Sequence, residues 1–140
     1  MHAVLVNEYG GPEVMRWTKL PDPVLHPGDV LVRLCVAGVN FMDTGVRRMP
    51  LPGWSVPTVL GVEGVGEITA LAEGVDNLTV GDRVAWYYHQ GSYAEQLAIP
   101  ADSLVTVPDT IDQRRNGGRG HDAGADRQPL HNRDLRNQAR

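Results

Sequence analysis

Val36-Ala37-Gly38-Val39-Asn40-Phe41-Met42-Asp43 and, beyond a proline-rich interval, Leu60-Gly61-Val62-Glu63-Gly64-Val65-Gly66-Glu67 are the two halves of the stretch that decides the fold. The first is an apolar strand that runs into a short polar turn. The second is a strand entry in which Gly61, Gly64 and Gly66 recur on either side of Glu63. Asn40, Asp43 and Glu63 thus fall where strands end, and polar groups placed there by a rigid scaffold are the usual anatomy of a small-molecule site. The same glycines also fit a plainer role, in which a buried strand must bend and pack closely.

Working outward, Val30 to Ala37 has an apolar core with β-branched residues at alternating places, and it opens at the turn triplet Pro27-Gly28-Asp29. Val80-Gly81-Asp82 repeats that device before a strand from Arg83 to Tyr88. Ala3 to Val6 and Val14 to Thr18 read as a strand pair across the turn at Gly10-Gly11-Pro12. Further strands are expected over Val65 to Leu71, Tyr93 to Ile99 and Ser103 to Val107. Prolines at 21, 23 and 27, and again at 50, 52 and 57, hold their segments in loop. Phe41 to Arg48 has room for about two helical turns, with Asn40 as N-cap. Many short strands and scarcely any helix predict a mainly β fold, a small barrel or sandwich.

Charge divides the chain. Residues 1 to 112 carry six Lys and Arg against fourteen Asp and Glu, a net of −8, and residues 113 to 140 carry seven Arg and three Asp, a net of +4. An acidic body is a poor phosphate surface, so no nucleic-acid partner is expected for it. The N-terminus lacks the charged and apolar regions of a signal peptide, and no apolar run approaches the roughly 20 residues of a membrane span. A cytoplasmic location without membrane contact is the expectation. Cys35 is the only cysteine, which excludes an intrachain disulfide and a multi-cysteine metal cluster, and its strand neighbours predict a buried small residue.

The order of Gly11-Pro12-Glu13-Val14, Pro27-Gly28-Asp29-Val30, Gly38 to Asp43, Gly61 to Gly66, Val80 to Val84, Gly91-Ser92-Tyr93-Ala94-Glu95 and Pro100-Ala101 resembles the N-terminal, GroES-like domain of medium-chain dehydrogenases/reductases. Within that superfamily it resembles the zinc-free quinone oxidoreductase branch that includes zeta-crystallin, over residues 1 to about 112. The resemblance implies a GroES-like, partly open β-barrel with one or two short helices. It also implies hydride transfer from NADPH to a quinone-like small molecule or another activated alkene or carbonyl. A non-catalytic interaction module of the same barrel, like GroES or a crystallin, is the alternative.

In zinc-dependent relatives a cysteine and a histidine ligate the metal where this chain has Asn40 and Val62, and neither can supply a thiolate or an imidazole. No metal site is expected. By the resemblance Asn40, Asp43 and Glu63 are the catalytic set, and Asn40, Phe41, Arg47 and Val62 lie toward the cofactor. Asn40 would face the nicotinamide as well as cap the helix; Asp43 and Glu63 would mainly fix loop geometry. Arg47 would orient an anionic group or pair with Asp43 one turn earlier. Gly45 and Leu51 stand where many relatives carry tyrosines, with Phe41, Trp54 and Tyr87 left to wall a flat acceptor.

No glycine-rich dinucleotide fingerprint followed by a helix occurs, so the cofactor-binding Rossmann domain is expected to be absent and the chain to be inactive alone. From Gln113 onward the strand signals stop and arginine and asparagine dominate. That segment reads as disordered, and an arginine-rich binding tail is one role for it. A frameshifted end fits better: back-translated with GC-rich codons and read one nucleotide on, residues 115 to 132 permit an alanine-rich run and then Met-Met-Gln-Gly-Leu-Thr-Ala, close to what the family carries there. Val36, Val39 and Leu60 are expected near exposed apolar surface, which would favour a homodimer.

Overall fold

The computed structural model describes residues 1–108 and 110–111; the expectations for residues 113 to 140 lie outside them. Strands β1 (His2–Val6) and β2 (Met15–Lys19) pair antiparallel, as the turn between them predicts, after a single 3₁₀ turn at Pro12–Val14. β3 (Asp29–Ala37) leads to the one α-helix among the described residues, α1 (Phe41–Arg48). There follow β4 (Thr58–Val59), β5 (Glu63–Leu71), β6 (Arg83–Tyr87), β7 (Gln96–Pro100), a 3₁₀ turn at Ala101–Ser103, and β8 (Val105–Thr106).

These strands form two sheets, ordered β2-β1-β4 and β7-β3-β5-β6-β8, and their pairings are antiparallel. An isolated bridge between Ala3 in β1 and Ala94, in the segment that leads into β7, connects the first sheet to the approach to the second, and the barrel is open rather than closed. β4 starts at the last residue of the interval read as loop, residues 49 to 58. It pairs with the far end of β1, Leu5 opposite Val59, and so brings the second half of the deciding stretch onto the first sheet.

The alternation in β3 does what the sequence pattern requires. Val30 and Val32 are fully buried with Ile68, Val84 and Ile99, while Arg33 faces out and pairs with Glu67. Cys35 departs from expectation: it is exposed. The β7 partners of β3 run only from Asp29 to Arg33, and the β3–β5 register shifts between Leu34 and Val36, so the sheet no longer covers this position. Leu60 departs the other way. It is 2 % exposed, in a second core cluster with Val6 and Val46 beneath α1.

Trp86 closes the main core, and its indole N–H donates to Ser92 Oγ at 2.8 Å inside the protein. Ser92→Ala would leave that N–H buried without an acceptor. The expected loss is about 1–3 kcal/mol in chemical denaturation, with Trp86 fluorescence reporting the same transition as circular dichroism.

Candidate active site

The polar cluster is built where β3 ends, where α1 begins and where β5 starts. Asn40 has extended backbone angles and its carbonyl accepts from the Asp43 N–H at 3.1 Å, so the helix starts at the residue the sequence marks as N-cap. Asp43 reaches back, and its Oδ2 accepts the Asn40 N–H at 2.8 Å. This is the carboxylate arm of a capping box, with aspartate in the place where glutamate is usual. The Asn40 side chain extends to β5, where Nδ2 donates to Glu63 Oε2 at 2.9 Å. A carboxylate only accepts, so this contact fixes which end of the amide is nitrogen.

Val62 immediately precedes Glu63, the residue that the Asn40 side chain contacts. The side chains at positions 40 and 62 differ in environment. Val62 is 1 % exposed and interior, whereas Asn40 is half-buried with its second amide N–H left over from the Glu63 contact. Phe41 is 90 % exposed. Gly38 lies against the Glu63 carboxyl group, and its N–H donates to the Glu63 carbonyl at 2.9 Å.

Arg47 is placed away from Asp43's charge. It is 5 % exposed, its Nη1 donates to the Gly10 carbonyl at 2.6 Å, and the Gly10 N–H donates back to the Arg47 carbonyl at 3.0 Å. The contact clamps the Gly10 turn onto the end of α1. Among the described residues no ion pair joins Arg47 to Asp43, so a one-turn pairing does not form.

One member of the cluster is not on the sequence-derived list. Tyr93, read there as the start of a strand and as part of the Gly91-to-Glu95 segment that carries the resemblance, donates its hydroxyl to Asp43 Oδ2 at 2.7 Å. Burial, and then the hydrogen bond to Asp43, push its phenol well above the ordinary value of 10.0. The folded state therefore favours neutral Tyr93. Its contribution to stability is complete below about pH 10 and is lost as the pH rises beyond the unfolded-state value. In an alkaline titration one of the four tyrosines should ionise together with unfolding, and Tyr93→Phe should remove that step.

Beside the cluster runs a groove of about 1090 Å³, lined by Val36, Val39, Val65, Tyr87 and Val105, with Glu63 at its polar edge. Val39 is 87 % exposed and Tyr87 67 %, so this wall presents apolar surface outward. Trp54 sits elsewhere, edge-on to Tyr88 with ring centroids 6.2 Å apart. Among the described residues no three His, Cys, Asp or Glu side chains come together as a metal site, and no helix is long and apolar enough to cross a membrane.

Comparison with known proteins agrees with this architecture. Residues 26–109 match the family model described as the alcohol dehydrogenase GroES-like domain. A quinone oxidoreductase of Pseudomonas aeruginosa is 39 % identical over 105 residues, covering 74 % of this chain and 32 % of that protein. A 2-haloacrylate reductase of Burkholderia is 32 % identical over 114 residues, covering 79 % of this chain and 34 % of that one. The solved structure of Escherichia coli quinone oxidoreductase in complex with NADPH superposes with a TM-score of 0.74 at 29 % identity, covering 80 % of this chain and 35 % of that one. The chain thus spans about a third of the length of these relatives. It belongs to the alcohol dehydrogenase GroES-like domain family, and its relatives among the medium-chain dehydrogenases/reductases include quinone oxidoreductases.

Proposed function

We propose that this chain is the catalytic-domain portion of an NADPH-dependent, zinc-independent quinone oxidoreductase, with Asn40 as the group that meets the nicotinamide. The observation that carries this reading is the Asn40 carboxamide itself. It is held from both sides, by Asp43 on its backbone and Glu63 on its side chain, and both its chain neighbour Val39 and its partner Glu63 line an apolar groove. After the Glu63 contact it keeps one N–H, a donor for the carbonyl of another carboxamide such as that of nicotinamide.

The residues fit the cofactor's chemistry and not a catalytic zinc ion's. Zinc takes thiolate, imidazole or carboxylate ligands, and the two positions that would supply the first pair hold an amide and a buried isopropyl group. NADPH, when bound, supplies the hydride. The tasks left to this chain are to orient the ring and to keep water away. Asn40 would hold the carboxamide, Glu63 would fix the amide's orientation, and Val36, Val39 and Val65 would give the ring an apolar wall. A flat acceptor of the quinone class has Tyr87 as its aromatic neighbour at the same groove.

The chain alone should bind NADPH weakly and show no turnover, because a relative's remaining two-thirds supplies the rest of the cleft. The decisive measurement joins residues 1–111 to that remainder of the Pseudomonas aeruginosa quinone oxidoreductase and follows NADPH oxidation with a simple benzoquinone. Turnover by the chimera and none by the chain alone is the expected result. A folded chimera that binds NADPH yet reduces no quinone or activated alkene would reject the proposal in favour of a non-catalytic module.

A further inference from the structure

Tyr93 does not line the groove, yet the contacts around it close a circuit through the candidate site. Its ring lies on Gly61, which has φ +88° and where an added Cβ would stand 2.5 Å from Tyr93 Cδ1 and 2.8 Å from Tyr93 N. Its backbone is held on both sides: the Tyr93 N–H donates to the Leu60 carbonyl at 2.8 Å, and the Val4 N–H donates to the Tyr93 carbonyl at 2.7 Å. The hydroxyl then reaches Asp43 Oδ2, the same oxygen that accepts the Asn40 N–H. Asn40 reaches Glu63, and two residues before Glu63 the chain is back at Gly61.

The other carboxylate oxygen matters as much. Asp43 Oδ1 is buried and has no hydrogen-bond partner among the described residues, so both restraints on this carboxylate act through Oδ2. Without the phenol hydroxyl, only the Asn40 N–H would hold the group, and the carboxylate could pivot about the Cβ–Cγ bond around that single contact. With it, two donors on one oxygen fix the carboxylate, hence the first turn of α1, hence the point from which the Asn40 side chain departs.

We infer that Tyr93 is a positioning residue for Asn40: through Asp43 its hydroxyl fixes the backbone from which the carboxamide reaches Glu63. The catalytic consequence rests on the proposal that Asn40 meets the nicotinamide, but the placement itself is measurable in the chain alone. The two can therefore fail separately.

The test is nuclear magnetic resonance on the full 140-residue chain, comparing the parent with Tyr93→Phe, which keeps the ring packed against Val6, Val46 and Leu60 and removes one oxygen. In the parent, the Asn40 side-chain NH₂ shifts should respond to Glu63→Gln, which replaces the carboxylate that Nδ2 now meets. In Tyr93→Phe that response should shrink at least by half, roughly the loss of one restraint, and hydrogen exchange at the Asn40 backbone amide should quicken about tenfold. A role in packing alone would leave the Asn40–Glu63 response as it is in the parent, and that result overturns the inference.

If Tyr93→Phe does not fold, biosynthetic 3-fluorotyrosine in the otherwise unaltered chain makes the same point by acidifying the phenol. A changed Asn40–Glu63 response supports the inference, and an unchanged one, with the Asp43 signals moved, rejects it. Gly61→Ala, which displaces the ring from below, should reproduce the Tyr93→Phe signature wherever it folds.

Discussion

A methyl group added at Gly66 is expected to cost about 3 kcal/mol, enough to take a large share of the stability of a domain of this size. Gly66 sits in the middle of β5, opposite Leu34 on one side and Val84 on the other. A Cβ there would lie 2.4 Å from Val32 Cγ1 and 2.5 Å from the Arg33 carbonyl oxygen. The valine could turn aside, but the carbonyl belongs to the central strand pair and moves only if the sheet does. Urea unfolding of Gly66→Ala should show a midpoint lower by about 1–2 M. Its sequence neighbour provides the contrast. Glu67 pairs with Arg33 at 2.9 Å on an exposed face, so Glu67→Ala should shift the same transition by less than about 1 kcal/mol. Equal effects at the two positions would show that β5 is not packed as described.

Glycine spacing and turn triplets therefore carry the fold in a form that can be read before any coordinates. Gly64 and Gly66 mark where β3 and β6 approach β5, and Asn40 with Asp43 three residues later marks the start of α1. These signals are local, and the elements formed where they fall. What was not legible depends on where a strand's partner stops. Cys35 has the sequence neighbours of a buried residue and lies beyond the last β7 partner, so only the pairing shows it exposed. Leu60 erred in the opposite direction because its cover comes from α1 and β1, remote in sequence.

The site shows the same limit. Asn40, Asp43 and Glu63 carry polar groups at strand and helix ends and could be nominated from composition. Tyr93 lies fifty residues from Asp43, in a segment whose alternation is loose. The available signals were the Gly91-to-Glu95 segment of the resemblance and, within it, Gly91-Ser92, a pair of small residues that lets the chain turn a ring inward; both point to a turn more readily than to a carboxylate. Arg47 was misleading for a related reason. Helix spacing offers it Asp43, but the Gly10 carbonyl, brought in by the β1–β2 turn, takes its place.

Asn40→Asp is the change that should separate the structural role of the amide from its chemical one, and its expected effect on turnover is the largest. Aspartate caps a helix as well as asparagine does, so α1 should still form and Asp43 should still accept the residue-40 N–H. The difference falls on β5. A carboxylate would stand about 2.9 Å from Glu63 where a donor stands now. Two carboxylates at that distance hold a proton between them, which raises one folded-state pKa above its unfolded value. The variant should therefore match the parent at low pH and lose stability as the pH rises through that raised value. In the chimera, NADPH–quinone turnover should fall about a hundredfold, the usual consequence of removing one oriented donor from a reacting site. The double variant Asn40→Asp with Glu63→Gln then reverses the pair: the new glutamine donates to the new aspartate, and the repulsion is gone. Its stability at high pH should return while its turnover stays low, since the cleft would face a carboxylate and no amide. Recovery of turnover together with stability would mean that Asn40 serves the helix and the β3–β5 junction alone, and that the nicotinamide meets a different group.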